Sequence, residues 1–416
     1  MKVDKRLVVF LISILLIVGS SAALAGVAPR TIGLGDEFAA LTGLEALYGN
    51  PAALNIDNGV FKLDLNIGAS FWNNLLINDY IDESTKDRLL SRIKNSSFVL
   101  DARGNLGGEL SIGPITGFAG VKALAVANLS EDMASVVLKG NEIGREYSLD
   151  GSAAYSATYL DAGVNYAMEL PDSITESLPV SGPSYLGMTY HYLRGMAIKG
   201  SGSGSFMIDY GEEEPVLGGS SGDFTFIHPE DEDDTGSGSA FDLGVYTEVD
   251  DTYTLGLSVM NIGGSLSIDK ARYYKYEMVY DEETEEWEFT DQAEEGNVAG
   301  GLTVKLPLIV RVGGSMKVSD TLLLLANYSN TSYPKEIFGK TLRDNKIAVG
   351  AEWTGIGFLP LRAGVNYSTL ARNLELSAGM GLDLGPLKAE IGISDLSGLF
   401  NQAKGASGSL CIGLEF

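Results

Sequence analysis

The chain ends on a strand with two incompatible faces. Leu410, Ile412, Leu414 and Phe416 fall on one side and Cys411, Gly413 and Glu415 on the other, because side chains alternate across a strand with a period of two. Such a segment separates an apolar environment from a polar one. The same division recurs upstream. Leu374, Leu376, Ala378, Met380, Leu382 and Leu384 alternate with Glu375, Ser377, Gly379, Gly381 and Asp383, and Phe61, Leu63, Leu65, Ile67, Ala69 and Phe71 alternate with Lys62, Asp64, Asn66, Gly68 and Ser70. Repeated around a closed wall, the two environments are lipid and lumen. Outer-membrane β-barrels end on such a strand, and Phe416 reads as the membrane-insertion signal. The last strand of a soluble sandwich would alternate in the same way, so the other end of the chain must decide.

At that end, Lys2, Lys5 and Arg6 precede the apolar run Leu7 to Val18, and Ala23-Leu24-Ala25 forms an A-x-A cleavage site before Gly26. This is the pattern of a secretory signal peptide over residues 1–25. The run is too short for a spanning helix, and no later stretch approaches ~18 apolar residues. A mature protein that sits in a membrane must then do so as a barrel. Cys411 is the single cysteine, so no disulfide forms within the chain. Residues 1–25 hold three of the 29 basic and one of the 55 acidic residues, which leaves 26 against 54 and a charge of −28. Nucleic-acid binding is excluded by that sign. The acidity fits a salt-rich habitat, or acidic loops bridged to anionic lipid headgroups by divalent cations. The 52 glycines show no collagen period and fall inside alternating strands and at turns, as curved sheets require.

Residues 26–58 are not strand-like. Phe38, Leu41, Leu44 and Leu47 stand at helical spacing ahead of the turn at Asn50-Pro51-Ala52, which reads as a short helical plug or hatch. From residue 59 to 416 the pattern is that of a barrel. Strands are expected near 61–71, 104–112, 115–128, 153–170, 184–199, 241–249 and 253–261. Others are expected near 308–318, 321–329, 345–354, 358–368, 373–384, 386–394 and 409–416, about 14 in all and between about 12 and 16. Residues 82–94 predict a helix capped by Asp82, with Leu89, Leu90 and Ile93 on one side. Long acidic loops are expected at 200–238 and 262–297, the second turning at Asp281 to Thr284. The fold class is therefore an all-β, transmembrane antiparallel β-barrel of about 14 strands with a short N-terminal helical hatch.

The segment "RTIGLGDEFAALTGLEALYGNPAAL" from Arg30 to Leu54 resembles the N-terminal hatch of the outer-membrane long-chain fatty-acid transporter superfamily, which includes PorV-like barrels. Gly33-Leu34-Gly35, Phe38 and the closing Asn50-Pro51-Ala52 carry the resemblance, and "LPLRAGVNYS" at 359–368 and "AFDLGVYTE" at 240–248 look like strand openings of these barrels. The resemblance implies fourteen strands around a plugged lumen. In the transporter branch it implies passage of hydrophobic molecules through a lumenal pocket toward a lateral opening. In the PorV-like branch it implies a carrier or shuttle for other proteins. The acidic, polar long loops depart from the greasy outer groove of the transporter branch.

An enzyme on this fold would be a barrel hydrolase or protease working from its rim, a site that needs a histidine with an orienting acid, and the chain has only His191 and His228. His191, between Tyr190 and Tyr192, reads as an interfacial or lumenal side chain, His228 lies beside Pro229 in an acidic loop, and no serine-nucleophile motif accompanies either. The chain is read as no enzyme, with no cofactor and no assigned metal site. Asp231, Asp233, Thr235, Gly236 and Asp242 occupy positions 1, 3, 5, 6 and 12 of a calcium-loop pattern, with a solvated acidic loop as the plainer alternative. Phe38, Asn50, Pro51 and Ala52 are the candidate hatch and gating residues, although Pro51 also explains itself by ending the hatch run. The function that follows is an outer-membrane channel or transporter for small hydrophobic or amphipathic molecules. The alternative is an anchor or shuttle barrel that recruits proteins through its acidic extracellular loops. A continuous apolar lumenal pocket would favour the first and a filled lumen the second. Expected partners are outer-membrane lipid, the barrel assembly machinery and a hydrophobic small-molecule ligand. Arginine at Leu376 or Ala378 should cost more than arginine at Ser377 or Gly379.

Overall fold

Each alternating segment becomes a strand of one wall. The computed structural model describes residues 28–416 apart from 55, 57–60, 94–96, 141, 176–179, 211–214, 219–221, 232–233, 282–285, 290–293, 336–338, 340 and 401–402. The signal peptide at 1–25 and most of the turn at Asp281 to Thr284 lie outside the described residues. The wall begins with β1 (Lys62–Asn73), β2 (Phe98–Ile112), β3 (Ile115–Leu129), β4 (Ala153–Glu169), β5 (Ser184–Ser203), β6 (Gly236–Glu248) and β7 (Tyr253–Ile268). It continues with β8 (Leu308–Ser319), β9 (Leu322–Ser332), β10 (Arg343–Trp353), β11 (Leu361–Ser368), β12 (Asn373–Asp383), β13 (Leu387–Ser394) and β14 (Gly405–Glu415). Neighbours pair antiparallel in sequence order, and β14 closes onto β1 from Lys62↔Glu415 to Trp72↔Gly405. The result is a closed fourteen-stranded antiparallel barrel, which has no unpaired edge.

Outside, the alternation places an apolar belt. Leu65, Leu106, Val164, Leu255, Ile347 and Ile412 are all exposed, and Tyr190, Tyr192, Tyr328 and Tyr367 point outward beside them. A closed barrel with this exterior has the surface of a membrane-spanning wall. Phe416 completes the closure: its N–H donates to Phe61 O (2.9 Å), and the two rings stand 6.0 Å apart.

One end of the barrel carries mostly short turns, apart from the connection at 170–183, and the other carries the longest connections. The helix α1 (Pro29–Leu34) lies inside, while α2 (Glu83–Ile93) and α3 (Glu131–Lys139) belong to the loop end. Asp82 Oδ1 caps α2 by accepting from Thr85 N (2.7 Å), as its sequence indicates. The helix α3, capped by Ser130 Oγ, has no counterpart in the strand reading. Both helices pack on the outer wall, where Leu89, Ile93, Met133 and Val136 join Leu100, Ala102, Ala125 and Ala127. The long loops are shifted from their expected limits. β5 runs on to Ser203 and β7 to Ile268, leaving connections at 204–235 and 269–307. These are also not separate arms, because residues 223–229 pair with 271–277 and residues 223–227 pair with 199–203 of β5. Together they form a raised rim.

The hatch corrects the sequence reading. No helix spans Phe38 to Leu47; α1 ends at Gly35 with φ 98°, Gly43 has φ 107°, and single 3-10 turns cover Leu44–Tyr48 and Pro51–Ala53. Both glycines take backbone angles that a helix cannot contain. The apolar spacing is real but is satisfied differently, since Phe38 and Leu41 pack with Leu34 against Leu325 of β9 and Ala348 of β10.

Candidate lumenal site and hatch

Inward positions of the strands are small or polar, and the hatch occupies the space they leave. A Cβ on Gly187, Gly244, Gly256, Gly364 or Gly392 would overlap the hatch at Ala52, Asn50, Ala39, Leu34 or Pro29 respectively. At Gly379 it would stand 2.9 Å from Gly33 Cα. Glycine here makes a socket, a role beyond sheet curvature. The same contact overturns the expected tolerance of arginine at Gly379, because that lumenal position is filled by the hatch.

Side chains from the wall then latch the plug. Arg30 donates to Glu352 of β10 through both Nε and Nη2 (2.8 Å each), and Glu352 also accepts from Arg362 Nε of β11 (2.6 Å). Arg362 Nη2 reaches Glu390 of β13 at 2.7 Å. Arg311 of β8 pairs with Glu37 (3.1 Å), and Asn366 Nδ2 donates to Gly35 O (2.8 Å). Asn50 is fully buried; its Nδ2 donates to Ala39 O (2.7 Å) and Val245 O (2.9 Å), while its Oδ1 accepts from Ala52 N (3.0 Å). Pro51 O accepts from Asn165 of β4 (3.1 Å), and Ser258 of β7 donates to Gly49 O (2.6 Å). Tyr48 OH donates to Glu109, which also accepts from Asn66 (2.8 Å). The candidate residues Phe38, Asn50, Pro51 and Ala52 thus all face the wall and are all buried.

The lumen is not filled. A cavity of about 250 Å³ stands between the hatch and the loop end, with Asp36, Glu37, Leu47 and Tyr48 of the hatch as its floor. A second, of about 220 Å³, lies on the other side of the hatch against Arg30, Glu45, Asp64, Glu390 and Cys411. The lining of the upper cavity is mixed at each level. Leu124, Val126, Tyr159 and Leu306 merge into a buried cluster with Val99, Leu193, Leu266, Leu302 and Val304, while Arg103, Asp101 and Lys122 stand opposite Leu124, Val126 and Tyr159 on the neighbouring strands. The charges largely neutralise one another. Arg103 pairs with Asp101 (2.8 Å), Lys122 with Asp161 (2.6 Å), and Lys346 with Asp36 (3.6 Å). Arg311 is paired on one side only: Nη2 reaches Glu37, while Nε and Nη1 have no partner among the described residues although the side chain is only 5% exposed. The lumenal pocket is therefore mixed, where the hydrophobic-transport reading called for a continuous apolar one.

His191 is lumenal, and both its ring nitrogens face carboxylates: Nδ1 lies 2.9 Å from Asp161 and Nε2 2.9 Å from Asp242. No nitrogen remains to activate a hydroxyl. His228 stacks on Tyr274 in the rim, 5.0 Å between centroids. Asp242 also accepts from Asn261 N (2.6 Å) inside the wall, so the calcium-like pattern 231–242 does not converge on one loop; Asp233 lies outside the described residues. The ion pairs of Arg30, Glu352, Arg362 and Glu390 escaped sequence reading. Their signal was charge at inward register positions of otherwise alternating strands.

No family model matches the chain, and no curated protein matches it. Solved structures do. The toluene transporter TodX of P. putida aligns with a TM-score of 0.56 at 12% identity, covering 94% of this chain and 99% of that one. The toluene transporter TbuX of Ralstonia pickettii gives 0.55 at 14%, covering 94% and 99%. A FadL homologue of Pseudomonas aeruginosa gives 0.53 at 12%, covering 95% and 100%. The chain shares their fold. The architecture that the N-terminal resemblance implied, fourteen strands around an N-terminal plug, is the one observed.

Proposed function

We propose that this protein is a channel of the bacterial outer membrane that passes small amphipathic or hydrophobic molecules, gated by residues 28–54. The observation that carries the reading is the pair of cavities separated by the hatch. An anchor needs no space on either side of a plug, whereas a gated path does. The upper cavity, at about 250 Å³, exceeds the ~150 Å³ that accommodates benzene. Its mixed lining favours an amphipathic passenger, with the apolar body against Leu124, Val126 and Tyr159 and a hydrogen-bond acceptor toward the unpartnered edge of Arg311. The solved structures of like fold include two toluene transporters, which supports transport over protein recruitment. The signal segment 1–25 supports export, and the apolar belt supports lipid as the surroundings. The position of Phe416 at the closing seam, against Phe61, supports its reading as the insertion signal.

The test is uptake of a fluorescent apolar amine into proteoliposomes. Leu124→Trp, which narrows the upper cavity, should weaken uptake, and Arg311→Gln should weaken uptake of carboxylate- or hydroxyl-bearing probes more than of toluene. Unchanged uptake in Leu124→Trp would reject the cavity as the path. Deleting Phe416 should reduce membrane insertion, read by heat-modifiable migration; normal insertion would remove its signal role.

A further inference from the structure

The outer wall carries a cavity that the channel reading does not use. It lies at the loop end, between α2 and the turn joining β11 to β12, and at about 470 Å³ is larger than either lumenal cavity. Arg88, Arg92, Arg372 and Lys404 line it against the single acid Asp79, in a chain with 55 acidic and 29 basic residues. Four cations to one carboxylate is the reverse of the overall balance. The placement follows from the fold. Leu89 and Ile93 of α2 are held in the outer cluster, so Arg88 and Arg92, four residues apart, share a face that remains exposed. Arg372 occupies a left-handed turn position with φ 50° and donates to the Arg92 carbonyl, and Arg88 Nη2 approaches the Thr85 hydroxyl (3.5 Å). These guanidinium contacts go to neutral oxygens. The Lys404 ammonium is surrounded by the carbonyls of Ala371 (2.7 Å), Asn74 (3.3 Å) and Arg372 (3.3 Å). Burial first, then Arg92 and Arg372, pull it down to about 8, against the opposing pull of Asp395.

The other wall of the cavity is apolar. Ile77 and Leu89 stand beside the cations, and Leu374 and Leu376 belong to the lipid-facing row of β12, with Leu374 55% exposed. Cations at the loop end directly above an apolar strand face match a molecule with an anionic head and acyl chains. We propose that this cavity binds a phosphate-bearing acyl lipid of the outer leaflet, its phosphate among Arg88, Arg92 and Arg372 and its chains along Leu374 and Leu376. The proposal rests on the membrane reading above. It also replaces the cation-bridged contact suggested by composition with direct pairing at this site.

The experiment is lipid retention by full-length protein in detergent, measured by native mass spectrometry. The probes are a diphosphorylated acylated glucosamine disaccharide, phosphatidylglycerol, phosphatidylcholine and inorganic phosphate. Relative to wild type, Arg88→Gln/Arg92→Gln/Arg372→Gln should lose retention of the diphosphorylated lipid by on the order of 100-fold, from roughly one charged contact each. The triple lysine variant should keep most of it, and phosphatidylcholine should bind equally weakly to all three proteins. Equal retention in wild type and the glutamine variant overturns the proposal, as does displacement by millimolar inorganic phosphate, which would indicate a free-anion site. Failure of the membrane reading itself would appear separately, as loss of heat-modifiable migration and of vesicle incorporation in wild type.

Discussion

The two halves of the hatch are held by different chemistry. Residues 29–42 lean on β8 to β13 largely through charge: Arg30, Glu352, Arg362 and Glu390 form a continuous run, and Arg311 and Lys346 reach Glu37 and Asp36. Residues 43–54 lean mainly on β4 to β7 through neutral groups, with Asn50, Asn165 and Ser258 bonded to backbone carbonyls and Leu44, Leu47 and Ala52 packed beside Tyr246, while Tyr48 reaches Glu109 of β2. The charged half leaves Arg311 Nε and Nη1 and Arg362 Nη1 without a partner among the described residues, whereas the Asn50 amide uses both its nitrogen and its oxygen. On that contrast we propose that 43–54 is the fixed end and 29–42 the end that moves, with Asn50, Pro51 and Ala52, the sequence candidates for gating, as the hinge.

Substitutions can break this contrast. The largest effect is expected from Glu352→Ala, which removes the carboxylate shared by Arg30 and Arg362 and should destabilise by ~3–5 kcal/mol; chemical unfolding in detergent measures the loss, and channel recordings of the refolded protein should show frequent openings. Next is Gly364→Ala. Its Cβ would overlap the backbone at Leu34, so the charged half must shift at a cost of ~1–3 kcal/mol, and open probability should rise here too. Asn50→Ala leaves the carbonyls of Ala39 and Val245 and the N–H of Ala52 without this partner, at about 1–3 kcal/mol. It should lower stability without raising open probability. Openings in Asn50→Ala but none in Glu352→Ala would reverse the assignment of hinge and gate. On the wall itself, Leu376→Arg should cost ~2–4 kcal/mol if it lies near mid-membrane, and unaltered stability would contradict the lipid-facing register of β12.

The wall was legible because one period sufficed. Alternation located every strand of the barrel, from Phe61 to Phe416, and its charge-free face located the lipid side. The hatch was legible as an element but not in conformation, since Phe38, Leu41, Leu44 and Leu47 mimic a helical stripe while Gly35 and Gly43 forbid the helix. What escaped is whatever depends on register between distant strands. Arg30 and Glu352 are 322 residues apart, and nothing local pairs them. The socket glycines read as curvature because only the hatch backbone against them reveals their second role. Helix α3 was hidden inside a connection, where Met133 and Val136 gain meaning only from the outer wall they cover.

The central claim is that the hatch closes a path between two cavities. Conductance and apolar-probe uptake in proteoliposomes, measured side by side for intact protein and for protein lacking residues 28–54, test it most directly. The deletion should leave a heat-modifiable barrel with higher conductance to small solutes and without saturable probe uptake, since the hatch is also the floor of the upper cavity. Identical, negligible permeability in both proteins would contradict the account and favour a barrel that anchors other molecules.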